Sequence, residues 1–202
     1  MKVTLKDYYE EKESVTAKIK PNQITVLVGR NGYGKSSFLK SLEEYTKQKK
    51  IPCLSWDDMN YGRENGKNRL TLNGNMKQLA MMAFHSEGET IMSSFSYFFI
   101  QRIRRTVQTT KKKEIFLLVD QIDSGLDIHQ INLIKNVFRD TIIPDIEKHG
   151  ITAFVVLTAN SFEMANNEDC LDPVTGKHYQ FKTLPEFQEY IDKQYEEEKQ
   201  QN

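Results

Sequence analysis

The chain has 202 residues, of which 28 are Lys or Arg and 28 are Asp or Glu, for a formal net charge of +0. That length predicts a single domain over residues 1–202, and the charge balance excludes polycation behaviour of the whole chain while leaving room for a local basic patch. Aromatic residues at 10% exclude a disordered chain, and apolar runs of about five residues fall far short of the roughly 20 that a membrane helix needs.

In chain order, MKVTLKDYYE at the start carries no apolar h-region, so no secretory signal is expected and the chain is expected in the cytoplasm. Residues 24–28, an apolar run after Pro21-Asn22-Gln23, read as a buried strand. A glycine-rich loop follows over 29–34, and 35–49 read as a helix with a Lys-rich last turn. Residues 51–56 suit a second strand, and 57–75, rich in Gly, Asn and charge, an irregular loop. From 90 to 107 the apolar positions Ile91, Met92, Phe95, Phe98, Phe99, Ile103 and Val107 keep a helical period. Strands are predicted again at 115–119 and 151–157. Between them 128–138 is helical by pattern, with Pro144 in or near its end. A last helix carries Phe187, Tyr190, Ile191 and Tyr195 on one face, and 190–202 are expected to be a helical, frayed tail. Strands alternating with helices predict an α/β fold with a mostly parallel sheet. Cys53 and Cys170 lack metal-ligand spacing and are expected to stay reduced, and the four histidines are scattered.

Gly29-Arg30-Asn31-Gly32-Tyr33-Gly34-Lys35-Ser36 fits GxxxxGK[ST], set between a buried strand and a helix. Glycines there let successive backbone N–H groups turn toward a phosphate, and the helix N-terminus adds its positive dipole end. Lys35 would reach the β- and γ-phosphates, Ser36 would ligate Mg²⁺, and Ser37 would touch the α-phosphate. Asp120 ends the apolar strand 115–119, where a carboxylate can hold the same Mg²⁺ from the other side or simply cap a turn.

The wording around these residues resembles ABC-type ATPases. Residues 29–37, GRNGYGKSS, resemble the GxNGxGKS[ST] loop. Residues 120–127, DQIDSGLD, resemble a Walker B strand entering a D-loop. Ser86-Glu87-Gly88-Glu89 resembles the SxGE core of the signature motif. The motifs stand in the family's order over about residues 20 to 165, and their wording is closer to stand-alone SMC, RecF and break-repair heads than to transporter subunits. The resemblance implies an ABC-type P-loop NTPase fold with ATP and Mg²⁺ as cofactors. It also implies a head-to-tail dimer, with itself or a related ATPase subunit. Arg30, Asn31, Gly32, Tyr33, Gly34, Lys35, Ser36 and Ser37 would hold ATP on one subunit. Ser86 and Gly88 would cap it from the other, and Asp127 would cross the interface. Lys35 and His85 are only 50 positions apart, which leaves no room for a coiled-coil arm and implies a reduced helical lobe.

The sequence departs from the pattern at three places. Gln121 stands where the family carries the Glu that activates water; an amide orients water but accepts no proton, so hydrolysis is expected to be slow. A natural switch and a trapping substitution both explain it. Asn160 stands at the switch-histidine position. No Q-loop glutamine is present; Asp57, Asp58 or Asn60 are the substitutes. Tyr8 and Tyr9 are candidates for adenine stacking as well as for core or surface roles. Arg102, Arg104, Arg105 and Lys111 to Lys113 are a solvated helix end or a contact for nucleic-acid phosphates. Residues 93–100 read as core, with part left for a partner.

Three functions remain in play. One is an ABC-type ATPase driving a partner protein or nucleic acid within a larger assembly. Another is a non-hydrolysing ATP sensor. A small-molecule P-loop kinase leaves SEGE and DSGLD unexplained, and no NKxD motif supports a GTPase.

Overall fold

The computed structural model describes residues 1–5, 14–57 and 87–201. Among the described residues eight strands are seen: β1 (Lys2–Leu5), β2 (Val15–Lys18), β3 (Ile24–Leu27), β4 (Cys53–Asp57), β5 (Glu114–Asp120), β6 (Thr152–Thr158), β7 (Asp169–Leu171) and β8 (His178–Tyr179). β1 and β2 pair antiparallel by themselves, and the other six form one sheet in the order β4-β5-β6-β3-β7-β8. Every pairing in that sheet is parallel except β7 with β8.

The helices are α1 (Lys35–Lys49), α2 (Glu87–Ser94), α3 (Gln101–Thr109), α4 (Ile128–Asn136), α5 (Ile143–Lys148), α6 (Phe162–Ala165) and α7 (Leu184–Gln201). A widened π-helical turn, Phe95–Ile100, joins α2 to α3, and another, Val137–Ile142, joins α4 to α5. The mostly parallel sheet with flanking helices is the fold class the sequence predicts.

β5 and β6 read as continuous apolar runs because both sheet faces are covered. On β5, Ile115, Leu117 and Val119 point into a core shared with Phe95, Phe138 and Phe187. Phe116 and Leu118 point the opposite way, toward Phe38 and Leu42 of α1 and Val3 and Leu5 of β1. The two π turns meet in the first core. Phe95 lies edge-on to Phe138 at 5.7 Å and to Trp56 at 5.8 Å, and all three rings are buried. Phe95 and Phe99, four residues apart and so on one face, are both buried, while Tyr97 between them stays 39% exposed.

Some elements differ from the sequence-based expectation. The helix from Ile128 passes Pro144 and continues to Lys148. The widened turn just before it places Pro144 in the first turn of α5, where a missing N–H costs little. The last helix runs from Leu184 to Gln201, and Gln194 within it is buried although the segment reads as polar. β1, β2, β7 and β8 have no counterpart in the sequence reading. At two to four residues each they are too short for alternation to register. Asn75 and the rest of the Gly-rich loop beyond Asp57 lie outside the described residues.

The topology prepares a site by placing β6 between β3 and β5, with Leu27 opposite Thr158 and Val119 opposite Leu157. The carboxyl ends of β3, β6 and β5 therefore lie side by side.

Candidate functional site

Gly34 enters α1 at φ +84°, a left-handed conformation that suits glycine. It brings no side-chain cap, and the first turn of α1 holds no acidic residue. The N-terminal N–H groups and the positive dipole end are thus left to whatever sits in front of the loop. At the other end of the loop a Cβ on Gly29 would come 2.5 Å from Tyr33 Cδ1, so the tyrosine ring requires glycine there. Lys35 is 7% exposed and folds back on its own loop, with Nζ donating to Gly29 O at 2.6 Å and Arg30 O at 3.1 Å. Burial lowers its pKa, and the carboxylates of Asp123 and Asp120 oppose that shift.

Two side chains lock the end of β6 to the end of β5. Thr158 Oγ1 donates to Asp120 Oδ1 at 2.9 Å and accepts the Gln121 N–H at 2.8 Å. Gln121 is held at φ +54°, an uncommon backbone for a residue with a side chain. Asp123, 6% exposed, accepts from the backbone N–H of Asn160 at 2.8 Å and of Ser161 at 2.9 Å. It also accepts from the Ser161 hydroxyl at 2.9 Å and, more weakly, from Asn160 Nδ2 at 3.4 Å. Neither Thr158 nor Asp123 emerges from the sequence as functional; the only hint is a polar residue closing an apolar strand. Thr158→Val keeps the shape but orphans the Gln121 N–H. It is expected to cost about 1–3 kcal/mol, read by denaturant unfolding.

A cavity of about 410 Å³ brings Asn31, Lys35, Ser36, Gln121, Ser124 and Asn160 together. Gly32, Tyr33, Gly34 and Ser37 complete its loop side. A second, of about 520 Å³, lies between α1 and the ends of β4 and β5 and is bordered by Ser36, Asp57, Asp120 and Gln121. Asp57 faces Asp120 in strand register. Among the described residues no group of three or more His, Cys, Asp or Glu side chains is arranged for a metal. Ser36 and Asp120 border one cavity, and a hydroxyl with a carboxylate is the kind of oxygen pair that suits a hard cation taking its other oxygens from water and phosphate.

Other predicted residues stand apart from this centre. The Arg30 guanidinium turns away, lying 5.9 Å from the Tyr33 ring centroid and 5.4 Å from that of Tyr195, while its N–H donates to Gln194 Oε1 at 2.9 Å. Asp127 caps α4. Its Oδ1 accepts the Gln130 N–H at 2.8 Å and its own N–H donates to Gln130 Oε1 at 3.1 Å. Gly88 is buried under that same Gln130, whose amide a Cβ on Gly88 would strike. Arg102, Arg104 and Arg105 are exposed along α3, and Lys111 to Lys113 beyond it, as a solvated helix end would be. Ser86, Tyr8, Tyr9, His85, Asp58 and Asn60 lie outside the described residues. Among the described residues no helix is long and apolar enough to cross a membrane.

No family model matches the chain, and no curated protein matches it. Among solved structures it is similar to an ATP-binding subunit of an ABC transporter, at 15% identity over 91% of this chain and 90% of that one, with a TM-score of 0.42. It is also similar to the ADP conformation of an ATP-binding cassette of an ABC transporter, at 12% identity over 89% of this chain and 90% of that one, with a TM-score of 0.48. Both likenesses concern overall fold and carry nothing about activity.

Proposed function

We propose that the chain is an ABC-type ATPase head of the stand-alone kind, which binds Mg²⁺-ATP and closes on it as a head-to-tail dimer to work a partner protein or nucleic-acid assembly. The observation that carries this reading is one cavity bordered by Lys35, Ser36, Gln121 and Asn160, with Asp120 beside Ser36 in the next. Mg²⁺ there would neutralise phosphate charge. The chain's own residues divide the remaining work. The α1 N-terminus and Lys35 bind phosphate, with Lys35 exchanging its two loop carbonyls for phosphate oxygens. Ser36 and Asp120 hold the cation, Gln121 orients water, and Asn160 reaches the terminal phosphate. Ser86 and Gly88 would cap the nucleotide of the facing subunit. For Gly88 this requires Gln130 to move aside, and for Asp127 to reach across it must leave its cap.

Lys35→Ala tests this reading. Removing a charge-assisted phosphate contact is expected to weaken ATP binding roughly tenfold to a hundredfold, by titration calorimetry. It is also expected to abolish an ATP-induced dimer in sedimentation velocity. A wild-type chain that binds no ATP, or that stays monomeric at saturating Mg²⁺-ATP, would overturn the nucleotide or the dimer part respectively.

Gln121 and Asn160, both neutral, favour a second reading of the same site: an ATP-binding switch whose signal is the closed dimer itself and whose hydrolysis is slow.

A further inference from the structure

The strands β5, β6 and β3 point their carboxyl ends at the candidate site, so the amino ends of these parallel strands and of β4 lie together on the opposite edge of the sheet. Three lysine-bearing segments meet there in a row. Lys49 and Lys50 close α1 just ahead of β4, Lys111 to Lys113 lead into β5, and Lys148 closes α5 just ahead of β6. Backbone bonds tie the segments together. The Phe116 N–H donates to Pro52 O at 2.9 Å, and the Thr152 N–H donates to Lys113 O at 2.8 Å. Neighbouring strands stand about 4.8 Å apart, so the three segments follow one another across roughly 10 Å. All six lysines are exposed. α1, 15 residues long, separates this edge from the phosphate loop by roughly 20 Å.

Local structure accounts for only part of this charge. Lys49 and Lys148 stand in the last turns of helices, where cations favour the dipole. Lys111 to Lys113 do not. α3 ends at Thr109 and Thr110 is extended, so three successive like charges gather beyond the helix end. Two acids stand in the row: Glu114, half-buried at the start of β5, and Glu147, which accepts from Asn22 Nδ2. The β1–β2 pair adds Lys2 directly opposite Lys18, both exposed, a placement of like charges that costs stability. Tyr45 of α1 ties that pair to the row, with its hydroxyl 3.9 Å from Met1 Sδ and its ring centroid 6.0 Å from Lys49 Nζ. The chain as a whole is neutral, so this edge is positive because the balancing acids lie elsewhere.

The chemistry of the face narrows its partner. Among the described residues, none of the large exposed apolar side chains lies in these segments, so the face lacks the apolar anchors that a membrane-surface element inserts. Protein interfaces are depleted in lysine. A sugar–phosphate backbone carries a negative charge at every nucleotide and is held by lysine without apolar contact. We propose that the amino-terminal edge of the sheet is a docking surface for the phosphate backbone of nucleic acid, taken without regard to base sequence. Of the two kinds of partner in the functional reading above, this commits to nucleic acid. It does not depend on nucleotide binding at the opposite edge.

The test is fluorescence anisotropy of a labelled mixed-sequence DNA duplex, and of one of its single strands, titrated with the full chain without ATP over a series of salt concentrations. Wild type is compared with the triple variant Lys111→Gln, Lys112→Gln, Lys113→Gln and with the control Lys177→Gln, Lys193→Gln, which neutralises exposed lysines beside β8 and on α7. Wild-type affinity is expected to fall steeply with salt. The triple variant is expected to lose about tenfold or more, and its slope of log affinity against log salt to shrink by about 2–3, near 0.9 for each lost phosphate contact on duplex. The control keeps wild-type binding. Should the triple variant unfold, Lys49→Gln with Lys148→Gln gives the same reading with a smaller loss. Wild type that binds neither probe at low salt, a folded variant that binds as wild type does, or a control that loses as much overturns the proposal. So does equal affinity for polyglutamate, which points to an acidic protein, or for phosphatidylserine vesicles, which points to a membrane surface. With no ATP present, each of these failures leaves the nucleotide reading standing, and a chain that binds no ATP can still pass.

Discussion

Gln121→Glu is expected to raise steady-state phosphate release from Mg²⁺-ATP by about 10²–10⁴-fold, the usual scale of general-base assistance. Position 121 is placed by its backbone. The N–H is held by Thr158 Oγ1 at 2.8 Å and the residue stands at φ +54° on the edge of the cavity. Glu and Gln share that backbone geometry and nearly the same volume, so the exchange alters the chemistry at the site and leaves its placement alone. A glutamine holds a water by hydrogen bonds but returns no basic lone pair as the water's proton departs, whereas a carboxylate does. If Gln121→Glu turns over and the present chain does not, the site is built for hydrolysis. If both are folded, bind ATP and release no phosphate, the hydrolytic part of the reading falls for the isolated chain and the switch reading takes its place.

Asp123→Ala is expected to destabilise the chain by about 3 kcal/mol, with a Tm lower by about 10 °C, and to weaken nucleotide binding as well. The carboxylate is 6% exposed and accepts from two backbone N–H groups and one hydroxyl. Alanine leaves those donors buried with nothing to meet. The same change frees the segment that presents Asn160 and removes one of the two carboxylates that favour the charged form of Lys35. Asp123→Asn keeps one acceptor and is expected to lose less, so a graded series, wild type above Asn above Ala, separates the hydrogen-bond role from mere bulk. Thermal unfolding and ATP titration read the two effects. An Ala variant with wild-type Tm and affinity would remove Asp123 from the site's support.

The strand, glycine loop and helix at 24–49 were legible in the sequence because local rules dominate there. An apolar run, then glycines where a tight turn needs them, then a helix pattern each speak within a few residues. Asp120 was legible for the same reason, as the acid closing a seven-residue buried strand. The residues that hold these parts together were not. Thr158 and Asp123 do their work across intervals of 37 and 38 positions, and nothing in a local pattern reports which strand will lie between two others. Gln194 reaches Arg30 across 164 positions, from a helix whose polar sequence gives no hint of a buried amide.

What the sequence determined by itself is the set of groups offered: a glycine-rich loop of the phosphate-binding pattern with Lys35 and Ser36, a carboxylate at Asp120, and an amide at position 121. What only the tertiary structure decided is which side chains share a cavity and which way they face. β6 inserted between β3 and β5 turned Thr158 into the clamp of the site. Packing of α7 against the loop set the Arg30 guanidinium near the Tyr195 ring and buried the Gln194 side chain. The physical reason is range. Backbone propensity and turn chemistry act over a few residues, whereas strand order and side-chain burial follow from closing a single core around a sheet whose neighbours are far apart in the chain.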